Sequence, residues 1–289
     1  MPGYYHLSVD VIGRGTGRSA VACAAYRAGQ TLHDERYGKT HDYTPRKGII
    51  GTGISAPEEA PAWVNDRAQL WNRVEAREKR KDAQLAREFE LSLPHQLSIE
   101  QQREILQQFI SQELTARGLV ADWAIHAPNR AGDQRNYHAH VMATMRPIGP
   151  EGFEANKDRS QNTTEQLGKW REAWAEIQNR AFERHRITGD DGRAITVDHR
   201  SYEGQGAAIE PTQHLGVHAM AMERRGIKTD AGTRNREIHN ANDNRILLRR
   251  QARNLDAETL RLQLQGKEQR AQRILNQLDR DRGGNEFES

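Results

Sequence analysis

His138 and His140 stand one residue apart in Tyr137-His138-Ala139-His140-Val141-Met142-Ala143-Thr144-Met145, a segment that reads as a strand. On a strand, residues i and i+2 share a face, so both imidazoles can reach one ion. His126 ends an earlier apolar run, Leu119-Val120-Ala121-Asp122-Trp123-Ala124-Ile125-His126. The turn formers Pro128-Asn129-Arg130-Ala131-Gly132-Asp133 lie between the two runs. Folded as an antiparallel hairpin, the segment brings His126 to the His138/His140 face. Three convergent imidazoles make a facial metal site with open positions for water or substrate. A wet strand face with no metal is the plain alternative.

A metal held by neutral imidazoles keeps much of its positive charge. It can polarise an anionic oxygen such as a phosphodiester offers, and it can stabilise an in-line displacement. Such a reaction needs a nucleophile. Water is one option; Tyr26, on an Ala-rich helix among the small residues Ala22, Cys23 and Ala25, is another. A phenol titrates near 10 and needs activation by metal, base or cations. A core tyrosine would look the same in sequence, and the chain has six others: Tyr4, Tyr5, Tyr37, Tyr43, Tyr137 and Tyr202. Glu88 and Glu90 share a face of the alternating run Glu88–Leu93. They can act as general base or orient a ligand histidine, or they can simply be solvated.

The elements that must position these groups follow from periodicity. Tyr4–Val11 alternates and predicts a first strand. Gly13-Arg14-Gly15-Thr16-Gly17-Arg18 is a basic loop that fits neither a dinucleotide fingerprint nor a Walker motif. Ser19 is the N-cap of a helix running through Tyr26 to Ala28, and Gly29 its C-cap. Residues 32–44 are polar; a turn at 43–48 precedes a short strand, Ile49–Ile54. Pro61–Arg80 predicts a charged amphipathic helix, and Pro94 ends the Glu88–Leu93 strand. Ser98 caps a helix to about Leu114. This β, α, β, α, β, α, β, β order predicts an α+β domain with an antiparallel sheet. Beyond it, Thr164–Arg186 is helical with Trp170, Trp174, Ile177 and Phe182 on a core face. A Gly-rich link spans 189–210, a short helix covers Ala219–Arg225, and a long charged helix covers Asn242–Arg282. Acids and bases are balanced there, as on a solvated or partner-facing helix.

Composition bounds the class. The 289 residues are 35% hydrophobic, and the mean hydropathy is −0.93, low for a compact globule, so part of the length is expected to be extended or partner-dependent. Net charge is only +3, but just eight of the 43 Lys and Arg are Lys. Guanidinium forks suit phosphate, which leans toward a nucleic-acid partner, as would a GC-rich gene. The single cysteine, Cys23, excludes an internal disulfide and a cysteine-based zinc site. No apolar run approaches the ~20 residues of a membrane span, and no signal-peptide pattern opens the chain; a soluble, cytoplasmic protein is expected.

Several stretches resemble one family. These are Tyr5-His6-Leu7-Ser8, Gly17-Arg18-Ser19-Ala20 with Ala24-Ala25-Tyr26-Arg27-Ala28-Gly29, Asp82-Ala83-Gln84-Leu85-Ala86-Arg87-Glu88, and Ile125-His126 with Asn136-Tyr137-His138-Ala139-His140. Val197-Asp198-His199-Arg200-Ser201 with Gln205-Gly206, then His214-Leu215-Gly216 with Met222-Glu223-Arg224-Arg225-Gly226, extend the set. Over about residues 3–230 the chain is similar to the MobA/MobL conjugative relaxases, the MOBQ group of HUH endonucleases. Ala139 is smaller than the bulky residue usual between the two histidines.

The resemblance implies an HUH-type central antiparallel sheet with flanking helices, followed by a mostly helical extension. It implies His126, His138 and His140 as metal ligands, Mg²⁺ or Mn²⁺ as the metal with other transition metals possible, and Tyr26 as nucleophile. Glu88 matches the family's acidic position, and Glu90 matches it less closely. Single-stranded or supercoiled DNA at an origin of transfer would be the substrate, nicked through a 5′-phosphotyrosyl intermediate and later resealed. Relaxosome accessory proteins and a type IV coupling protein would be partners, and export with the transferred strand would follow.

Arg14, Arg18, Arg27 and Arg130 are candidates for phosphate contact, and Tyr4, Tyr5 and Trp123 for base stacking. The expected division is a relaxase domain over 1–190, a polar linker with short helical elements over 191–240, and a long charged helix over 241–289. The closing Gly283-Gly284-Asn285-Glu286-Phe287-Glu288-Ser289 carries no domain signal, as in a segment cut from a longer protein. Three other functions fit the same residues: a rolling-circle replication initiator of like chemistry, a His₃ hydrolase or lyase using water, and a non-catalytic DNA-binding module.

Overall fold

The computed structural model describes residues 5–130, 133–189, 192–207, 209–213 and 215–283. Tyr4 and His214, both singled out above, lie outside the described residues. Two compact units form, Met1–His199 and Arg200–Ser289.

The first unit is built on a five-stranded sheet. Its strands are β1 (Leu7–Gly13), β4 (Ile49–Ser55), β5 (Gln84–Leu93), β6 (Ala121–His126) and β7 (Tyr137–Thr144), in the order β1-β5-β7-β6-β4 with every pairing antiparallel. Helix α1 (Ala20–Ala28) follows β1, and a small hairpin, β2 (Thr31–Asp34) and β3 (Lys39–Asp42), precedes β4. Helix α2 (Arg67–Arg77) leads to β5 and α3 (Ile99–Glu113) to β6; the pair β8 (Ile148–Gly149) and β9 (Gly152–Phe153) leads to α4 (Thr164–Arg184).

The two faces of the sheet are covered differently. Odd-numbered Phe89, Leu91, Trp123, Ile125, Ala139 and Val141 pack with α3 and α4. The Trp170/Trp174 stripe lies in this core, with edge-to-face contacts from Trp170 to Phe89 and from Trp174 to Phe109 at centroid distances of 4.9 and 5.6 Å. Each such side chain, taken fully out of water, contributes about 1.5–3 kcal/mol. On the other face α1 and α2 cover Ile12, Ala86 and Met142. Ala20, Val21, Ala24, Ala25 and Ala28 of α1 are its buried stripe, small enough for close approach.

Caps set the helix ends. Ser19 accepts from the Ala22 N–H at the start of α1, and Ser98 forms a reciprocal capping box with Gln101 at the start of α3. The helix expected over 61–80 is shorter: Pro61 opens a 3₁₀ turn, and the Asp66 side chain, accepting from the Gln69 N–H, starts α2 only at Arg67. The polar stretch 32–44, which shows no helical or strand period, is the β2–β3 hairpin. It is fastened by the buried Asp34 carboxylate, which accepts from the Ser19 hydroxyl, and by Asn72, which accepts from the Glu35 N–H and donates to the His33 carbonyl.

In the second unit α5 (Gly216–Arg224) is followed by α6 (Asp230–Gly283). The Glu223 carboxylate holds their junction by accepting from the Thr229 N–H, the Thr229 hydroxyl and Arg236. Asn235 and Asn242 bond the backbone at Gln213 and Glu210, so α6 begins well before the expected Asn242. Most of its apolar side chains are exposed, Leu247, Leu248 and Leu255 among them. Among the described residues no helix is long and apolar enough to cross a membrane.

Candidate metal centre and nucleic-acid interface

The β6–β7 hairpin pairs His126 directly opposite His138, and His140 follows two residues on along the same face. The three ring centroids lie 5.1–5.3 Å apart, and the ligand nitrogens all fall within 4.8 Å of one another. Two of the rings have one nitrogen hydrogen-bonded to a carbonyl. His126 Nε2–H donates to the Arg27 carbonyl at 2.8 Å, and His138 Nδ1–H to the Asn136 carbonyl at 3.1 Å. His140 Nδ1 lies 3.3 Å from Glu88 Oε1, off the line of a hydrogen bond. A carbonyl only accepts, so the tautomers of His126 and His138 are settled, leaving Nδ1 and Nε2 respectively as lone-pair donors. His126 Nδ1 is buried with no hydrogen-bond partner among the described residues. Backing each ligand histidine with an acceptor is how proteins orient imidazoles toward a metal. The donor set therefore fits a divalent ion.

Electrostatics favour the same state. Burial first, then the neighbouring imidazoles and Arg46, push His126 down to about 4. Burial likewise lowers His138. Both are neutral, and able to ligate, at neutral pH. Burial alone would raise the Glu88 carboxyl; His140, Arg27 and Arg18 against it outweigh that and hold it at about 2. Arg18 reaches Glu88 Oε2 at 2.8 Å and Asp10 Oδ2 at 3.1 Å, bridging two carboxylates that face each other across β1 and β5. The Arg27 guanidinium closes on Glu88 Oε1. Glu90, on the same face and opposite His140, is exposed.

Tyr26 is not a core residue. It sits on the open side of α1, 44% exposed, one residue before the carbonyl that receives His126. Tyr43 meets its ring edge-on at 5.2 Å, and the Arg46 guanidinium lies 3.8 Å from its centroid. Gly29 makes this closure possible. Its φ of +61° ends α1 in the left-handed region, and a Cβ there would sit 2.5 Å from Ile49 Cδ1 and face the Tyr43 and Arg46 carbonyls. Beneath, α2 braces both layers. Arg67 grips Asp122 of β6 through Nε and Nη2 and Gln30 through Nη1, while Trp71 Nε1–H donates to Asp122.

Three of the residues expected to contact DNA are engaged within the protein. Arg14 is buried, pairing with Glu75 and donating to the Glu75, Glu78 and Arg80 carbonyls. Trp123 points into the α3/α4 core, packed on Gly53, where a Cβ would lie 2.4 Å from its ring. Tyr5 is half-buried against that core, and its hydroxyl donates to the Arg171 carbonyl at 2.7 Å. Arg130 is exposed on the β6–β7 connection. Sequence reasoning missed Arg46 and Tyr43. They lie in a turn whose composition marks only a turn, and nothing local ties them to a helix end about twenty residues earlier.

Residues 18–225 match the MobA/MobL family model. The chain is 38% identical over 246 residues to conjugal transfer protein TraA of Rhizobium radiobacter, covering 76% of this chain and 22% of that protein. It is 35% identical over 250 residues to mobilization protein MobL of Acidithiobacillus ferridurans, covering 76% of this chain and 64% of that protein. The chain thus spans about a fifth of the length of the TraA relative and under two thirds of MobL. A structure solved in work on the molecular basis of vancomycin resistance transfer in Staphylococcus aureus superimposes with a TM-score of 0.60 at 28% identity, covering 68% of this chain and 99% of that one.

Proposed function

Because this chain belongs to the MobA/MobL family, we propose that it is a conjugative relaxase, a site- and strand-specific transesterase that nicks DNA at an origin of transfer through Tyr26. One observation carries the reading. The helix end that presents Tyr26 is hydrogen-bonded, through the Arg27 carbonyl, to one of three imidazoles gathered on an open sheet face.

His126, His138 and His140 would hold Mg²⁺ or Mn²⁺, which would supply electrophilic polarisation of the scissile phosphate; the all-nitrogen donor set would also accept later transition metals. Tyr26 Oη forms the new bond to phosphorus as the bond from phosphorus to O3′ breaks. The departing electron pair stays on O3′, which ends protonated, and the phenol proton leaves. The product is a 5′-phosphotyrosyl strand and a free 3′-OH. The ester energy is kept, so attack by a 3′-OH on the same phosphorus reseals the strand.

The two carboxylates divide their work. Glu88, ionised and clamped by two guanidiniums, is too weak a base to take the phenol proton; it orients His140 and places Arg18 and Arg27. Glu90, exposed on the same face opposite His140, is the carboxylate left to act as general base. Arg130, with Arg18 and Arg27 at the rim, contributes positive charge to the strand's path. The chain acts in the cytoplasm with relaxosome accessory proteins and a type IV coupling protein, and travels with the strand. We assign the relaxase activity to residues 1–190, and accessory contacts to the later region that carries α5 and α6.

The test is relaxation of a supercoiled plasmid bearing the transfer origin of the element that encodes the chain. Wild type with Mn²⁺ converts it to open circles, and EDTA stops the conversion. Unchanged supercoils with Mn²⁺ would defeat the reading. A water-activating His₃ hydrolase would instead leave no protein on the nicked strand.

A further inference from the structure

We propose that Arg46 is the phosphate-binding residue of the Tyr26 centre: its guanidinium, held against the phenol ring, takes a non-bridging oxygen of the phosphodiester that Tyr26 attacks. The inference rests on the relaxase reading above.

The arginines around Tyr26 differ in what they already bind. Arg18 and Arg27 give their guanidiniums to Glu88, and Arg14 gives its own to Glu75. Among the described residues no carboxylate, carbonyl or hydroxyl accepts from the Arg46 guanidinium, although the residue is half-buried and its Nε is wholly so. A desolvated guanidinium without an acceptor is costly, and a planar fork matches phosphate oxygens in pairs. The free cation of this site therefore sits where an anion would complete it.

Its position is fixed by two contacts. The Cζ lies 3.8 Å from the Tyr26 centroid, a cation–π contact that holds the guanidinium against the ring. The turn bond from the Arg46 N–H to the Tyr43 carbonyl, 3.0 Å, holds its backbone, and the Tyr43 ring packs against Tyr26. As Tyr26 Oη bonds to phosphorus and O3′ leaves, charge concentrates on the non-bridging oxygens and on the entering and leaving oxygens. A fixed guanidinium there stabilises that charge more than the ground state's.

The experiment is single-turnover cleavage, with the full chain and Mn²⁺, of a single-stranded oligonucleotide spanning the nick region of that transfer origin. Wild type, Arg46→Ala and Arg46→Lys are compared on a native phosphodiester and on a methylphosphonate at the scissile position. Mn²⁺ affinity is measured alongside. The expected result is a loss of about 10²–10³-fold in Arg46→Ala on the phosphodiester, partly recovered in Arg46→Lys. On the neutral methylphosphonate the difference between wild type and Arg46→Ala should shrink toward onefold, while Mn²⁺ affinity stays within a few-fold throughout. Equal rates for wild type and Arg46→Ala would overturn the inference alone. So would a defect that persists on the methylphosphonate, which would make Arg46 a holder of Tyr26, or a collapse of Mn²⁺ affinity, which would make it structural. Absence of any Tyr26 adduct with wild type would instead remove the relaxase reading and the inference with it.

Discussion

The Nε2–H of His126 donates to the carbonyl oxygen of Arg27 at 2.8 Å, joining the most buried imidazole of the triad to the residue that follows Tyr26. One bond sets the imidazole's tautomer and the position of the helix end that presents the phenol. Tyr26 and the histidine triad are thereby registered to each other across the gap between helix and sheet.

Glu88 stands behind His140 as Arg27 stands behind His126. Glu88→Gln should weaken Mn²⁺ binding by about 10–100-fold, the usual cost of losing such backing, and should free Arg18 and Arg27. Calorimetric titration with Mn²⁺ checks this; unchanged affinity would separate Glu88 from the metal site.

Protonation of His126 predicts a pH window for stability. In the folded chain it titrates near 4, and in the unfolded chain near 6.5. Between these values the unfolded chain binds the extra proton. Metal-free protein therefore loses stability as pH falls from about 6.5 to about 4, and this group has no further effect above 6.5. Denaturant unfolding of wild type and His126→Asn at several pH values reads it: the variant's curve should be flatter there.

Arg67 and Asp122 form a buried pair under the site. Arg67→Ala strands the Asp122 carboxylate with only the Trp71 N–H, and should cost about 3–5 kcal/mol. Thermal unfolding measures it; a loss below 1 kcal/mol would show that water reaches Asp122.

The centre was legible where local rules act. The His-x-His period, the turn before it, the Ser19 cap and the Gly29 stop all depend on neighbours in sequence, and the triad and the Tyr26 helix follow from them. Contacts between distant residues were not. Arg14 reads as a loop cation until Glu75, far along the chain, buries it. Trp123 reads as a strand aromatic of either face, because β6 is buried on both sides and shows no alternation. Residues 31–42 are polar, and their hairpin exists because Asp34 and Asn72 fasten it to α1 and α2. Arg46 matters only once the chain has turned back over Tyr26.

The central claim, that Tyr26 is the nucleophile of a metal-dependent centre, is tested most directly by locating the covalent bond. Wild type and Tyr26→Phe are incubated with the origin oligonucleotide and Mn²⁺ or EDTA, and adducts are mapped by peptide mass spectrometry. The account predicts a DNA adduct on the peptide carrying Tyr26, absent with EDTA and absent in Tyr26→Phe. An adduct on another tyrosine, or metal-dependent cutting that leaves no adduct, would contradict it.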